Sequence, residues 1–465
     1  MRTIRIKHRA SFLLSILLAA CLFSGCTLIN EKLDQLNEKI EDMSATATLS
    51  ADADSEEEKP TPTTGPTLRV TQNNSADEDE DEDDTEPTAS TESATINLSI
   101  WIPPQFDPAQ GTDEAKIFSE MIEEFLTENP DVRLSMRVKS TSGDSSALNT
   151  LSTAKNAAPD VIPSLVILDR NDLLSAFQKG LLYPIRTNIF ADANSWYGYS
   201  KQASAIDSLV YGIPIAGDAL VMVFRPSKTG AEMTTWDEIL SRGLPIAFSP
   251  SSSDALFPTF IYAAMGGKLV NDQGQAWLDQ SILTQTLHFF LSGGQNGAFP
   301  PSLSQVIDNS QNWQMFLEGT VSIIVSKFST YRHNQGTDID AIALPRFPEN
   351  NSYPLMTTWN VALTTNDPAT QEYAIKFAEK LADPIFNDRW TSAAGYFPVR
   401  QSDHAAWQTD EQYQTILAIN PNATLIPNAQ ILNKITPILN AAVSKVINTV
   451  ATPEQAAQEA IAELE

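Results

Sequence analysis

Cysteine is almost absent from this chain, histidine is scarce, and no apolar run is long enough to cross a bilayer. The only two cysteines in 465 residues, Cys21 and Cys26, stand near the amino terminus. Everything downstream therefore folds without disulfides and must rest on a large apolar core. The four histidines, His8, His288, His333 and His404, are not paired at metal-ligand spacing, so no catalytic zinc and no other cofactor is expected. No nucleophile triad or phosphate-cradling glycine loop is visible, and an enzyme is not expected. Basic residues are in the minority, 30 Lys and Arg against 58 Asp and Glu, for a formal net charge of -28. No basic patch interleaved with aromatics suggests nucleic acid.

What the chain does have begins with a leader. Residues 1–9 are basic and residues 10–20 almost wholly apolar, the layout of a secretory signal. The apolar stretch falls short of the ~20 residues that span a bilayer. Leu18-Ala19-Ala20-Cys21 and Phe23-Ser24-Gly25-Cys26 both resemble a lipobox, in which two small residues precede a cysteine that is lipidated and becomes the new amino terminus. Cleavage before Cys26 leaves one cysteine, already modified, whereas cleavage before Cys21 leaves Cys26 unpaired; Cys26 is preferred, with residues 1–26 as the signal. An exported protein, lipid-anchored at the outer face of the cell membrane, is expected.

Ile29, Leu33, Leu36, Ile40 and Met43 follow a 4-3-4-3 spacing, either a two-heptad coiled-coil seam or a solvated amphipathic helix. Residues 44–95 are Thr, Ser, Pro, Ala and acid, with an unbroken acidic run over 77–84 and few large apolar side chains. Such a segment cannot form a core, and its like charges extend it. Residues 27–94 therefore read as a tether.

From residue 95 the periodicity changes. Ile96, Leu98 and Ile100 alternate with Asn97, Ser99 and Trp101, a half-buried strand. Ala115, Phe118, Met121, Ile122 and Phe125 recur at helical spacing until Asn129-Pro130 stops them. A second strand (132–138), a second helical stripe (147–154) and the apolar run 165–168 follow. Strands alternating with helices imply an α/β fold with a parallel sheet, whose ligands bind beyond the carboxyl ends of the strands. Further on, Tyr211-Gly212-Ile213-Pro214 reads as a turn feeding the strand 220–224. Residues 235–240 and 254–264 read as helices, 321–325 and 339–344 as strands, and the remainder as mostly helical. The folded part is long enough for two lobes.

A family resemblance rests on Ile100-Trp101, Phe125 to Pro130 (FLTENP), Ala158 to Val161 (APDV), Lys179 to Leu182 (KGLL), Tyr211 to Pro214 (YGIP), Thr235 to Glu238 (TWDE), Phe316 to Gly319 (FLEG), Gly395 to Arg400 (GYFPVR) and Thr452 to Glu454 (TPE). In this order the chain resembles the extracellular solute-binding proteins of ABC importers, the sugar-binding branch being nearest. The resemblance implies a two-lobe periplasmic-binding-protein-like fold with a ligand cleft between discontinuous lobes. By analogy, residues 95–216 and 342–394 form the N-terminal lobe, and residues 217–341 and 395–465 the C-terminal lobe. The implied partners are a small solute, most readily a sugar, and the transmembrane subunits of an ABC permease; a monomer is expected.

The same resemblance, joined to sugar chemistry, nominates contact residues. Sugars offer hydroxyls to carboxylates, amides and Arg, and faintly apolar ring faces to aromatics. Trp101 matches the family's tryptophan at the end of the first strand, with Gln105 in the following loop. Asp169 and Arg170 fall after the third strand, and Asp218 follows the YGIP motif. Asp254 and Phe257 match an acidic and aromatic helix start. Phe328 and Tyr331 flank Ser329, which stands where the family keeps a stacking tryptophan, and Trp359 stands near a strand start close to the ligand. Each has a plainer reading: core packing for Trp101 and Trp359, helix capping for Asp169 and Asp254, a solvated hinge charge for Asp218.

The rival readings are a binder of a peptide, polyamine or chelated metal, a binding protein coupled to a sensor, and an extracellular glycoside hydrolase using Asp218 and Asp254 as acid and base. Replacing Cys21 and Cys26 together by Ser is expected to release the protein from membranes with its fold unchanged; fractionation checks this, and retention of the double variant contradicts the anchor.

Overall fold

The computed structural model describes residues 95–230, 233–248, 256–302, 308–345, 347, 354–402 and 404–464. The leader, Cys21, Cys26, the 29–43 repeat, the tether and Asp254 lie outside these residues. Among the described residues there are eleven strands: β1 (Ile96–Ile102), β2 (Val132–Val138), β3 (Leu165–Asp169), β4 (Ala205–Ile206), β5 (Leu209–Val210), β6 (Ile213–Phe224), β7 (Ile246–Ala247), β8 (Ile323–Lys327), β9 (Asp340–Ala343), β10 (Leu355–Leu363) and β11 (Thr424–Leu425). Nine of them form one sheet in the order β2-β1-β3-β10-β6-β8-β7, with β11 on β10 and β9 on β6.

The amino-terminal part follows its periodicity. β1 pairs in parallel with β2 from Ile96↔Val132 to Ile102↔Val138, and Leu98, Ile100 and Ile102 are buried. The crossover is the helix Asp113–Glu128, capped by Thr112, whose hydroxyl accepts the Ala115 N–H. Its stripe of Phe118, Met121, Ile122 and Phe125 is buried, as a one-faced helix against a sheet requires. β3 then adds on the other side of β1, also in parallel.

The expectation of a parallel sheet fails at β10. Periodicity reads this stretch among mostly helical residues, while the family resemblance sets Trp359 near a strand start; the strand is antiparallel to both β3 and β6. Leu355–Leu363 carries Thr357 and Trp359 on one face and Thr358 and Asn360 on the other. With polar groups on both sides, the period-2 signal disappears. Thr358 and Asn360 are nevertheless fully buried, because the Asn360 amide donates to the Thr358 carbonyl and hydroxyl, each at 3.1 Å. Buried polar groups are tolerated when paired in this way.

β6 joins the two flanks of the sheet. Its first half pairs with β10, from Ile213↔Val361 to Ala219↔Met356. Its second half, Leu220 to Phe224, lies between β8 and β9. The Tyr211 to Pro214 stretch is thus the entry of a twelve-residue strand rather than a turn before it. Pro214 is accommodated because it sits opposite Asn360, beside the register shift at Trp359/Asn360. At mid-strand, Gly217 and Phe397 exchange both backbone hydrogen bonds at 2.8 Å. A Cβ at Gly217 would lie 3.0 Å from Tyr199 Oη and from Met356 Sδ, so any larger residue would have to displace those side-chain ends.

The chain reaches Phe397 by way of Gly395, which ends the helix Pro384–Ala394 in the left-handed region at φ 71. A Cβ there would stand 2.3 Å from Arg332 Cβ, and Arg332 is itself held by Asp410 at 2.8 Å. Gly395→Ala combines an unfavourable φ with overpacking and is expected to cost ~2 kcal/mol or more. The urea midpoint at unchanged slope measures it; an unchanged midpoint contradicts the close packing at this point.

Candidate functional site

Pleat parity decides which side chains can act together. In an antiparallel pair, residues directly opposite one another point to the same face. The register sets Asp169 opposite Trp359, Thr357 opposite Asp218, and Leu220 opposite Lys327. These six side chains therefore share one face, in a stripe that runs from β3 across β10 and β6 to β8. Asp169, Trp359, Thr357, Leu220 and Lys327 are all half-buried, whereas the opposite face, with Leu168, Thr358, Ala219 and Ser326, is closed.

Trp359 is the aromatic of this face that retains exposure. Phe106, delivered by the loop after β1, meets it edge-on at 5.9 Å. Behind Phe106, Trp390 stacks at 4.6 Å and Tyr396 lies parallel to Trp390 at 5.9 Å. Burial, and after it the charge of Asp218, raises the Tyr396 phenol. Half-buried Gln105 borders the same loop.

The charged groups differ in how far their bonds are already used. Asp169 caps the helix Arg170–Gln178, its Oδ1 accepting the Asp172 N–H at 2.8 Å. Arg170 donates to the Ala203 carbonyl at 2.8 Å, and burial lowers its guanidinium to about 10. Asp172, next to Asp169, is raised to about 7, first by burial and then by the Asp169 charge. Asp218, only 4 % exposed, accepts the Ser329 N–H at 3.2 Å on Oδ1 and the Ser329 hydroxyl at 2.6 Å on Oδ2. Burial raises its carboxyl against the opposing effects of Lys327 and the Ser329 bonds. Among the described residues, Lys327 Nζ makes no hydrogen bond or ion pair.

Several nominated residues are core. Trp101 pairs with Val166, which puts it on the face opposite Asp169. It packs there among Ala147, Leu151, Leu168 and Leu173, with Lys139 Nζ 4.5 Å above its ring. Phe257 is enclosed by Phe248 at 4.9 Å, Trp236 at 5.6 Å and Phe290 at 5.8 Å. Phe328 is fully buried against Phe397 at 4.6 Å. Burying such a ring contributes about 1.5–3 kcal/mol to folding, so their aromatic character serves packing. Tyr331 is buried too, its hydroxyl accepting from the Gln412 amide at 3.1 Å. Gln105, Asp169 and Trp359 remain at the half-open face. Tyr396, Thr357 and Lys327 were not nominated, because their placement depends on a register that periodicity could not supply; Tyr396 did stand inside the GYFPVR motif.

Residues 120–415 match the family model described as bacterial extracellular solute-binding protein. Among curated proteins, none matches the chain in sequence. Solved structures share the fold at low identity. The maltose-binding periplasmic protein of Listeria monocytogenes, solved with maltose, superposes with a TM-score of 0.66 at 14% identity, covering 80% of this chain and 98% of its own. The cyclic α-maltosyl-1,6-maltose binding protein of Arthrobacter globiformis gives 0.64 at 16%, covering 79% and 99%. A cyclo/maltodextrin-binding protein complexed with maltotetraose gives 0.62 at 16%, covering 79% and 96%. The architecture is thus the two-lobe α/β fold of these binding proteins.

Asp172 supplies a pH test. Its folded value of about 7 exceeds the ordinary 3.8, so its contribution to stability is fully present below pH ~4 and lost as pH rises through ~7. Asp172→Asn is expected to raise stability at pH 8 by about 1 kcal/mol, after allowance for solvent screening, and to leave it unchanged at pH 4. Thermal melts at the two pH values check this; equal shifts at both contradict it.

Proposed function

The chain belongs to the bacterial extracellular solute-binding proteins, and from that membership we propose that it captures a carbohydrate between two lobes and delivers it to an ABC permease. The half-open stripe centred on Trp359 carries the reading. An indole braced at its edge offers a flat apolar surface to a sugar ring, while Gln105, Thr357, Asp172 and Lys327 supply donors and acceptors around it for hydroxyls. The sugar ligands of its structural neighbours point to the same class. Three crossings would join the lobes, near Gly217 on β6, near Ala341 on β9 and near Gly395. The stripe lies across these crossings, so a solute resting on it touches both lobes and favours their closed arrangement through its added contacts.

Lipidation of Cys26, or of Cys21, would tether the protein at the outer face of the membrane, with residues 27–94 giving reach toward the permease. Family and neighbours are binding proteins, and binding rather than turnover is the proposed activity.

A thermal-shift screen over malto-oligosaccharides, uronic acids, short peptides and polyamines tests the solute class. A solute at 100 times its Kd adds ~2.7 kcal/mol of stability. Within the binding class, Trp359→Ala is expected to lower affinity at least ~10-fold by removing the stacking surface, with little change in the unliganded melting temperature. Calorimetry checks this. Unchanged affinity would move the site away from β10, and stabilisation by peptides or polyamines alone would overturn the carbohydrate assignment.

A further inference from the structure

β2 is the outermost strand at one end of the sheet. It pairs with β1 alone, so its other edge is open. Side chains alternate along the strand: Leu134 and Met136 pack on the core, whereas Arg133 and Arg137 are exposed on the other face. This is the face of Trp101, which stands in register with Arg137. Lys139, the first residue beyond the strand, is half-buried on the same side, its Nζ 4.5 Å over the Trp101 ring. Beside these cations β1 presents only Asn97 and Ser99, in register with Arg133 and Ser135. Among the described residues none of the three forms an ion pair, not even with Asp131 or Asp144, the acids that flank the strand in sequence. Burial, and after it the charge of Arg137, lowers the Lys139 ammonium, so the stripe repels itself. An uncompensated basic stripe stands out in a chain with 58 Asp and Glu against 30 Lys and Arg.

The complementary charge lies close by in the same chain. Residues 77–84 are acidic without a break, and residues 85–94 separate them from Thr95. β1 enters the sheet with Ile96 beside Val132, so the chain arrives at the Arg133 end of the stripe. A link of that length reaches at most ~36 Å, and the rise from Arg133 to Lys139 is only ~20 Å. Such a link holds the run near the stripe at an effective concentration on the order of millimolar.

We propose that the acidic run 77–84 docks on the Arg133, Arg137 and Lys139 face of β2, so that the chain covers its own basic stripe and shortens its tether. Side-chain charges make the contact rather than an added strand, since Asp and Glu are poor strand formers. Ion pairs on an exposed face are individually weak and are screened beyond a Debye length, ~8 Å at physiological ionic strength and ~3 Å at ~1 M salt. Salt therefore releases the run and returns residues 77–94 to the reach of the tether. The contact does not depend on the carbohydrate reading. Arg and Lys on an open edge also deter pairing with a second sheet, but that role needs no acidic run and produces no salt-dependent contact with it.

Spin labels on Thr85→Cys and on Ser142→Cys, an exposed position beyond Lys139, test this in the full chain with Cys21 and Cys26 replaced by Ser. A short, narrow distance distribution is expected at low salt, and a longer, broader one at ~1 M salt. An undocked acidic run would do the opposite, contracting as salt screens its own repulsion. Replacing Arg133, Arg137 and Lys139 together by Gln is expected to give the broad distribution at both salt concentrations. Replacing the acids of 77–84 by Asn and Gln is expected to do the same, and decides the matter should the first variant fail to fold. A distance that ignores salt and both sets of substitutions, or that shortens with salt, overturns the proposal. So does a short distance that vanishes on dilution with unlabelled protein, which would place the contact between copies. Vesicles containing phosphatidylglycerol form the second arm, and are expected to bind better once the acids of 77–84 are neutralised. If they bind the wild type and not the Gln variant while the label distance ignores salt, the stripe serves an anionic surface and the proposal fails.

Discussion

The backbone hydrogen bonds of β6 are the constraint on which the rest of the structure depends. One strand of twelve residues gives its first half to β10 and its second half to β8 and β9, so it is held by both flanks of the sheet at once. Each unpaired buried amide would cost about 1–3 kcal/mol, which leaves little latitude for sliding. The register that results brings Asp169, Trp359, Thr357, Asp218 and Lys327 onto one face. A slip of one residue would send the same side chains to the closed side.

Polar groups along this spine are placed where they help to specify the arrangement rather than merely to solubilise it. Asn387 donates to the Ile215 carbonyl at 2.6 Å and accepts the Val399 N–H at 3.2 Å, tying β6 to the segment after Gly395. Tyr199 gives its hydroxyl to the Pro398 carbonyl at 2.9 Å beside Gly217. The junction of β6 with β10 and the Gly395–Phe397 segment is therefore rich in buried, satisfied hydrogen bonds. Such networks favour a few discrete arrangements over a continuum.

The aromatic residues divide by the same logic. Phe248, Phe257, Phe290 and Phe299 enclose one another and serve the core. Phe106, Trp390 and Tyr396 form a stack whose outer neighbour, Trp359, is half-open. Stacking and edge contacts of this kind are worth about 0.5–1.5 kcal/mol beyond burial, enough to hold an indole still before a solute arrives. Preorganisation lowers the entropy lost on binding.

The sequence by itself determined the local and compositional features. β1, β2 and the helix Asp113–Glu128 were legible because each buries one face only, which imprints period 2 or period 3.6 on the residues. The Thr235 cap and Glu238 likewise marked their helix start. The extracellular solute-binding family was legible from short motifs in order, while four of the residues nominated through it, Trp101, Phe257, Phe328 and Tyr331, are buried in the structure. The tertiary structure alone decided which side chains share the half-open face. β10 is closed on one face by polar groups that pair with themselves, so hydrophobicity carried no trace of it. Asp218 looked like a free acid until Ser329, 111 residues away, was found on its oxygens. Trp101 and Trp359 looked equivalent until strand register put them on opposite faces. Which face a side chain takes, and which partner meets it there, depends on pairing between segments far apart in the chain, and no local pattern encodes that.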